Sequence, residues 1–104
     1  GTPERLMRPI LHGDVVASAR ALLAVDEAKR CRLMQRLISE ASLADVYRRH
    51  RGRAHPMWGD GSLEVAASSH DLMPEPYLDE VDYCQCMCVV FEALIQCSKR
   101  SPVN

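Results

Sequence analysis

The chain has 104 residues, of which 47% are hydrophobic and 26% are charged, values that fit one globular domain and exclude a disordered tail. Its formal net charge of −1 favours neither nucleic acid nor a membrane surface as a partner, and no apolar run approaches the ~18 residues of a membrane-spanning helix. We expect a single domain over residues 1–104, with a tag remnant or flexible start at 1–6 and a flexible tail at 100–104.

Apolar residues at helical spacing predict a first helix over about residues 14–24 and a longer second helix over about 27–51. Asp26 fits the N-cap of the second helix, and Gly52 stands where a C-terminal glycine is expected. The buried face of the first helix is predicted to be Val15, Val16, Ala19, Leu22 and Leu23. That of the second is predicted to be Met34, Leu37, Ile38, Ala41 and Ala44, extended by Cys31 and Tyr47.

A loop is predicted at residues 52–61, because one proline and two glycines interrupt this stretch. Ser62 is a good N-cap for a short third helix over residues 63–69. Two prolines then exclude a helix through residues 72–76.

The last helix is predicted over about residues 79–99, with acidic residues in its first turn and basic residues at its end, which complements the helix dipole. Its core face is predicted to be Val81, Cys84, Cys88, Phe91 and Ile95. The second and last helices, being the longest, are expected to be the main packing pair. The sequence thus predicts an all-α fold, a small bundle of three main helices plus one short helix.

The five cysteines make a poor disulfide framework, because their number is odd and three of them lie within five residues. This usage indicates a reducing compartment, so we expect a cytoplasmic protein. On a helix, Cys84 and Cys88 share a face and Cys86 points away from them. A structural zinc site needs four ligands, and no second close pair exists here. We expect buried small hydrophobes with no metal, and a partly exposed Cys86.

The histidines offer only pairs, His55 with Asp60 and His70 with Asp71. A metal site needs three or more convergent ligands, and a catalytic base needs a nucleophile or a substrate pocket beside it. We therefore predict no catalytic residue and no cofactor, and the sequence favours a non-enzymatic protein. A small metal- or thiol-dependent enzyme is the alternative.

A basic run near the end of the second helix is the best nucleic-acid signal in the chain. Its arginines are Arg48, Arg49, Arg51 and Arg53. Basic residues are also stabilising at a helix C-terminus for local reasons, and no aromatic residues interleave with these to stack bases. We therefore expect a solvated helix end, and nucleic-acid binding through residues 48–53 is an alternative function.

The stretch 55–62 is the densest local signal in the chain. Its proline and glycines predict a shaped turn, with Trp58 as a large anchor. As a recognition loop, it would present His55, Trp58 and Asp60 to a partner. The structural interpretation is favoured, but these three residues are the candidate binding contacts.

Charge is divided unevenly between the two halves of the chain. Residues 1–53 hold 11 Lys or Arg and 6 Asp or Glu, whereas residues 54–104 hold 2 and 8. Either the halves pack on each other and their charges meet at the rim, or two chains pair head to tail. The pattern leaves both arrangements open.

Three motifs carry a resemblance: His12-Gly13-Asp14, the His55-Pro56-Met57-Trp58-Gly59-Asp60-Gly61-Ser62-Leu63 stretch, and Asp82-Tyr83-Cys84. Over about residues 7–96 the chain resembles a family of short, uncharacterised proteins from marine and photosynthetic α-proteobacteria. The resemblance implies a bacterial cytoplasmic protein and transfers no catalytic residues. The function that we predict is a protein-interaction or self-associating helical module, with a protein partner or a second copy and no membrane.

Overall fold

The computed structural model describes residues 8–100, and within that range it contains four α-helices and one 3-10 helix. These are α1 (His12–Leu23), a 3-10 helix (Glu27–Lys29), α2 (Arg30–Arg51), α3 (Leu63–Ser68) and α4 (Val81–Arg100). The prediction of an all-α bundle with three main helices and one short helix is confirmed. The expected flexible start at 1–6 and the expected tail after residue 100 lie outside the described residues, and residue 100 itself ends α4.

The first helix begins two residues earlier than predicted because Asp14 closes its first turn. One carboxylate oxygen of Asp14 accepts a hydrogen bond from the Leu11 backbone N–H at 2.7 Å. The other accepts from the Glu64 backbone N–H at 2.8 Å, at the start of α3. One buried carboxylate therefore fixes the N-termini of both helices.

The second helix is divided near its start. Asp26 is at the N-cap position of the 3-10 helix, as predicted for the start of this segment, but its side chain makes no capping hydrogen bond, and the N-cap residue of α2 itself is Lys29. The end of α2 is as predicted: Gly52 adopts a left-handed φ of 71°, and its N–H donates to the Arg48 carbonyl at 2.8 Å. Glycine is favoured there because it has no Cβ to oppose that conformation.

Arg30, at the first position of α2, is buried and ties three helices together. Its Nε donates to the Leu22 carbonyl at 2.9 Å, and its two terminal nitrogens lie 2.7 and 3.1 Å from the carboxylate of Asp82. This bidentate hydrogen bond raises the pKa of Arg30 and lowers the pKa of Asp82. The C-terminal end of α1, the first turn of α2 and the first turn of α4 are thereby held at one point.

The centre of the packing is α1, and not the pair formed by α2 and α4. It has the most extensive contacts with α3 and α4, whereas α2 contacts those helices less. The expectation that the second and last helices form the main pair is therefore wrong. The physical reason is the run of small buried residues on α1, which allows its neighbours to approach closely. These residues are Ala17, Ser18, Ala19 and Ala21.

The face of α4 that the sequence predicted for the core lies on the outside. The predicted residues Val81, Cys84, Cys88, Phe91 and Ile95 are all exposed. The buried ones are Tyr83, Cys86, Val90 and Ala93. The two series have the same spacing and are offset by two residues, about 200° around a helix. Spacing cannot choose between them, because the contact with α1 and the Arg30–Asp82 ion pair set the rotation of α4.

Two further predictions about cysteine burial are wrong, and the first follows from the same rotation of α4. Cys86 is buried rather than partly exposed, and burial raises the pKa of its thiol. Cys31, predicted to extend the core face of α2, is exposed. The rest of that face is confirmed, since its five aliphatic residues are buried and Tyr47 is half-buried.

Candidate interaction surface

The loop at residues 52–61 is closed by its own backbone. The His55 N–H donates to the Gly59 carbonyl at 2.7 Å, and the Gly59 N–H donates back to His55 at 3.0 Å. Gly59 and Gly61 have φ values of 84° and 100°, which a residue with a Cβ rarely adopts. As predicted, Ser62 then caps α3, its hydroxyl accepting from the Val65 N–H at 3.3 Å. The loop is thus the shaped turn that the sequence indicates.

His55 organises the aromatic side chains of this loop. Its ring stacks on Trp58, with centroids 4.7 Å apart and planes 8° apart, and it meets the edge of Tyr47 at 4.9 Å. The Nδ1 atom accepts hydrogen bonds from the backbone N–H groups of Met57 and Trp58, at 3.0 and 3.1 Å. In a neutral ring the proton is therefore on Nε2. The imidazole supports the turn from inside, and Trp58 is half-buried against it.

Asp60 is also held within the loop. One of its oxygens accepts from the Ser62 backbone N–H at 3.0 Å, and the other lies 2.8 Å from Nη1 of Arg8. Burial raises the pKa of Asp60, but the hydrogen bonds from Ser62 and the charge of Arg8 outweigh burial and hold the pKa below its usual value. The carboxylate is therefore ionised at neutral pH and engaged with the chain itself.

Two of the four arginines of the basic run pair with a carboxylate of α2, and one of them, Arg48, also holds the loop to that helix. The buried carboxylate of Asp45 lies 2.8 Å from Nη2 of Arg48 and 3.3 Å from Nε of Arg49. Nε of Arg48 also donates to the Asp60 carbonyl at 3.0 Å. A Cβ at Gly61 would lie 2.7 Å from the Cβ of Asp45, so the loop backbone rests directly on the helix. The spacing of Asp45, three and four residues before these arginines, was the sequence signal for these pairs.

The other two arginines lie apart from Asp45. The Arg51 guanidinium is 5.8 Å from the ring centroid of Tyr47, within cation–π range, and Arg53 is exposed on the turn after α2. The structure therefore brings the predicted site residues of the loop and the first two arginines into one loop–helix unit. Most of their polar atoms serve contacts within the chain.

A third buried carboxylate, Glu40 on α2, has a partner that the sequence does not indicate. Its oxygens lie 2.9 Å from Nε of Arg36 and 2.9 Å from Nε2 of His70. The sequence paired His70 with the neighbouring Asp71, which is exposed. The pairing of His70 with Glu40 joins residues 30 apart in the chain, and no local spacing signals it. Among residues 8–100, no group of three or more His, Cys, Asp or Glu side chains is placed to hold a metal ion.

The outer face of α4 is an apolar stripe on the surface. It consists of Val81, Cys84, Cys88, Phe91 and Ile95. Val81, Phe91 and Ile95 are exposed to 70%, 51% and 53%, and 14 residues of helix extend the stripe over about 21 Å. A shallow depression of about 370 Å³ lies at its C-terminal end, lined by Phe91, Leu94, Ile95, Ser98 and Lys99. In the described part of the chain, no helix is long and apolar enough to cross a bilayer.

The fold and these two surfaces define a small all-α domain with a self-bonded polar loop on one side and an exposed apolar helix face on another. Residues 8–94 match the family described as a domain of unknown function, DUF7742, and the chain belongs to that family. The match includes the loop and the outer face of α4 as far as Phe91. No curated protein and no solved structure matches the chain. The α-proteobacterial origin expected from the motifs stays a prediction.

Proposed function

We propose that this domain is a non-enzymatic protein-interaction module and that its docking surface is the outer face of α4. The observation that carries the proposal is the exposure of five apolar side chains in one row on this helix. Single exposed apolar residues are ordinary, but a contiguous row typically marks an interaction site. The row follows the 3-4 spacing by which a second helix packs on a first.

The composition of α4 supports the same proposal. A surface helix normally has one apolar face, and a helix that is apolar on opposite faces is typically buried between two layers. The first layer is in place, since Tyr83, Cys86 and Val90 are buried against the rest of the bundle. Within residues 8–100, the opposite face has no second layer over it. A partner helix would supply that layer.

The free energy gained by burying this stripe must be compared with the cost of association. Full burial of a Val, Ile or Phe side chain stabilises by roughly 1.5–3 kcal/mol, so half-exposed side chains such as Phe91 and Ile95 would each contribute about 1 kcal/mol. Association costs an estimated 4–15 kcal/mol in lost freedom. The whole stripe, with the side chains that a partner brings to it, is therefore needed to offset that cost, and loss of one central residue should be felt.

The nucleic-acid alternative has less support in the geometry. The Asp45 carboxylate lies against two of the four guanidinium groups, Arg48 and Arg49, and a neighbouring negative charge weakens attraction for phosphate. Binding through residues 48–53 predicts a shift of duplex or single-stranded nucleic acid at low salt that is lost when Arg51 and Arg53 are changed to Ala. Absence of any shift would remove this alternative.

The proposed function is tested by capture from a lysate of the source cells with the tagged full chain. Wild type is compared with Ile95→Glu and with Leu43→Glu. Leu43 is a matched control, because it is an aliphatic residue on α2 with the same exposure of 53% as Ile95. Circular dichroism and thermal unfolding establish first that both variants fold as the wild type does.

Recovery of proteins, or of untagged copies of the chain, by wild type and Leu43→Glu but not by Ile95→Glu supports the docking surface. Equal recovery by all three baits contradicts it, because the binding would then not use this face. An empty capture by wild type, with no copies of the chain recovered, also contradicts the proposal.

A further inference from the structure

We propose that the occupant of the outer face of α4 is the same face of a second copy of this chain, packed antiparallel about a two-fold axis. This inference rests on the proposed function and names its partner. The first observation is the spacing. From Val81 to Ile95 the stripe advances by 3, 4, 3 and 4 residues, through positions 84, 88 and 91, and one further step of 3 reaches the exposed polar residue Ser98. With Ser98 included, the steps are the same in the reverse direction, so each position of one copy lies level with a position of a reversed copy.

In that register each residue of the stripe lies level with a particular residue of the other copy. Val81 lies level with Ser98 of the partner subunit, Cys84 with the partner's Ile95, and Cys88 with the partner's Phe91. Cysteine is a small hydrophobe whose sulfur packs favourably against an aromatic ring. The central layers, repeated by the two-fold axis, therefore pair the largest side chain of the stripe with one of its smallest, as good interdigitation requires. A two-fold interface uses the same patch on both copies.

Charge selects the antiparallel direction over the parallel one. Asp79 and Glu80 are exposed at the start of α4, and Lys99 is exposed near its end. Antiparallel packing brings the acidic end of each helix next to the basic end of the other, and the helix dipoles oppose each other favourably. Parallel packing would set acidic end against acidic end and basic end against basic end. The helix is therefore complementary to its own reversed copy.

This complementarity can only be satisfied between chains. Glu80, directly before α4, and Lys99 near its end are 19 residues apart, a separation of about 28 Å along the helix axis. The two charges cannot meet within one copy, so any coupling between them reports on contact between two copies. This makes charge reversal a direct test of direction.

The oligomeric state is measured first, by sedimentation equilibrium of the purified full chain over a wide concentration range. We expect a monomer–dimer equilibrium. Phe91→Glu should weaken the dimer at least about a hundredfold, as loss of a central anchor does. Leu43→Glu, the matched control on α2, should leave it within about twofold, as a change outside the interface does. A monomer at every concentration overturns the second-copy inference, and an undiminished dimer in Phe91→Glu also overturns it.

Direction is measured with two reversals, Glu80→Lys and Lys99→Glu, at low salt. Each alone puts like charges at both ends of its own homodimer and should weaken it about tenfold. An equimolar mixture should recover the wild-type dissociation constant, because each mixed dimer again has opposite charges at both ends. Each chain in the mixture still carries its own reversed charge, so any local effect on the helix ends persists and cannot account for recovery. Parallel packing predicts no weakening of either single variant, so wild-type dimerisation by Glu80→Lys and Lys99→Glu alone, or no recovery in the mixture, overturns the antiparallel arrangement.

The two proposals fail separately. A chain that is monomeric at all concentrations but loses its captured proteins in Ile95→Glu overturns the second copy and leaves the docking surface standing. A monomer that instead binds anionic lipid vesicles, with loss of that binding in Phe91→Glu, overturns both proposals. A dimer that withstands Phe91→Glu and Ile95→Glu alike overturns the second-copy inference, and it overturns the docking surface as well if Ile95→Glu captures the same proteins as the wild type.

Discussion

The loop at residues 52–61 and the outer face of α4 both have a role in the structure that their residue types do not indicate, and the two departures are in opposite directions. The loop contains the residues that most resemble a recognition site, including His55, Trp58 and Asp60. In the structure those side chains contact the loop itself, Tyr47 of α2 and Arg8. The outer face has the composition of a core stripe, yet it is exposed.

The comparison shows that the type of a residue does not establish whether its side chain is available to a partner. A backbone that turns sharply leaves N–H groups without helical partners, and buried ones must be satisfied. The polar side chains of the loop provide those partners, as the Nδ1 atom of His55 does for two N–H groups. On the outer face the Cys84 thiol donates to the Leu78 carbonyl at 2.7 Å, but the hydrocarbon side chains of Val81, Phe91 and Ile95 have no such role and are available to a partner. The loop thus supports the fold, and the face of α4 is the surface on which we place the function.

The largest loss of stability is expected on the inner face of α4, and the adjacent residue on the outer face provides the comparison. Val90 is fully buried and Phe91 is exposed. Val90→Asp buries a charge among apolar side chains and should lower the free energy of unfolding by about 4 kcal/mol or more. Phe91→Asp should change it by less than about 0.5 kcal/mol, in a solution dilute enough to keep the chain monomeric. Denaturant unfolding measures both, and similar losses in the two variants would mean that α4 is rotated differently.

The next effect tests how closely the loop backbone rests on α2. At Gly61 a Cβ would meet the backbone and side chain of Asp45 at 2.7 to 2.9 Å, and φ is 100°. Gly61→Ala should therefore cost about 3 kcal/mol, from strain and overpacking together. Gly52→Ala is the control, because φ is also positive but nothing lies within 4 Å, and it should cost only about 1 kcal/mol. Equal costs would show that the loop does not lie against the helix.

A smaller effect tests the role of His55 as a hydrogen-bond acceptor. His55→Phe keeps an aromatic ring for Trp58 to stack on but leaves the N–H groups of Met57 and Trp58 without their acceptor. We expect a loss of about 1 kcal/mol in the free energy of unfolding. Arg53→Ala, at an exposed position of the same turn, should leave stability unchanged. If His55→Phe is as stable as the wild type, the ring contributes packing alone.

The smallest effect concerns acid stability at the first turn of α4. Arg30 lowers the pKa of Asp82 below its ordinary value of 3.8, so Asp82 stabilises the fold above that pH and loses its contribution as the pH falls below it. When thermal unfolding is followed as the pH is lowered through 3.8, the stability of Asp82→Asn should fall less than that of the wild type. Asp79→Asn, at an exposed position three residues earlier, should follow the wild type. Parallel curves for wild type and Asp82→Asn would remove Arg30 as an anchor of α4.

The divided charge of the chain is partly explained by contacts within one copy. Two ion pairs join the basic first half to the acidic second half, Arg8 with Asp60 and Arg30 with Asp82. These contacts correspond to the interpretation in which the halves pack on each other. The exposed acidic and basic ends of α4 are not covered by that interpretation, and the proposed antiparallel pair uses them.

Local signals in the sequence were sufficient for the elements themselves. Helical periodicity located all four helices, a glycine located the end of α2, and Ser62 located the start of α3, because each of these depends on residues within one or two turns of each other. The same reasoning could not find the contacts of Asp14 with Glu64 or of Glu40 with His70, which join residues 50 and 30 apart. The loop was recognised as a turn, but the partners of its side chains were not.

Local spacing, capping and turn chemistry were enough to predict a small helical bundle and to place the ends of its helices to within three residues. Which of the two apolar stripes on α4 is buried depends on contacts with the rest of the fold. The stripes have equal spacing, and their choice depends on the small face of α1 and on the Arg30–Asp82 ion pair, which joins residues 52 apart. The surface on which we base the function is therefore a consequence of packing, and no local pattern in the chain distinguishes it from the core.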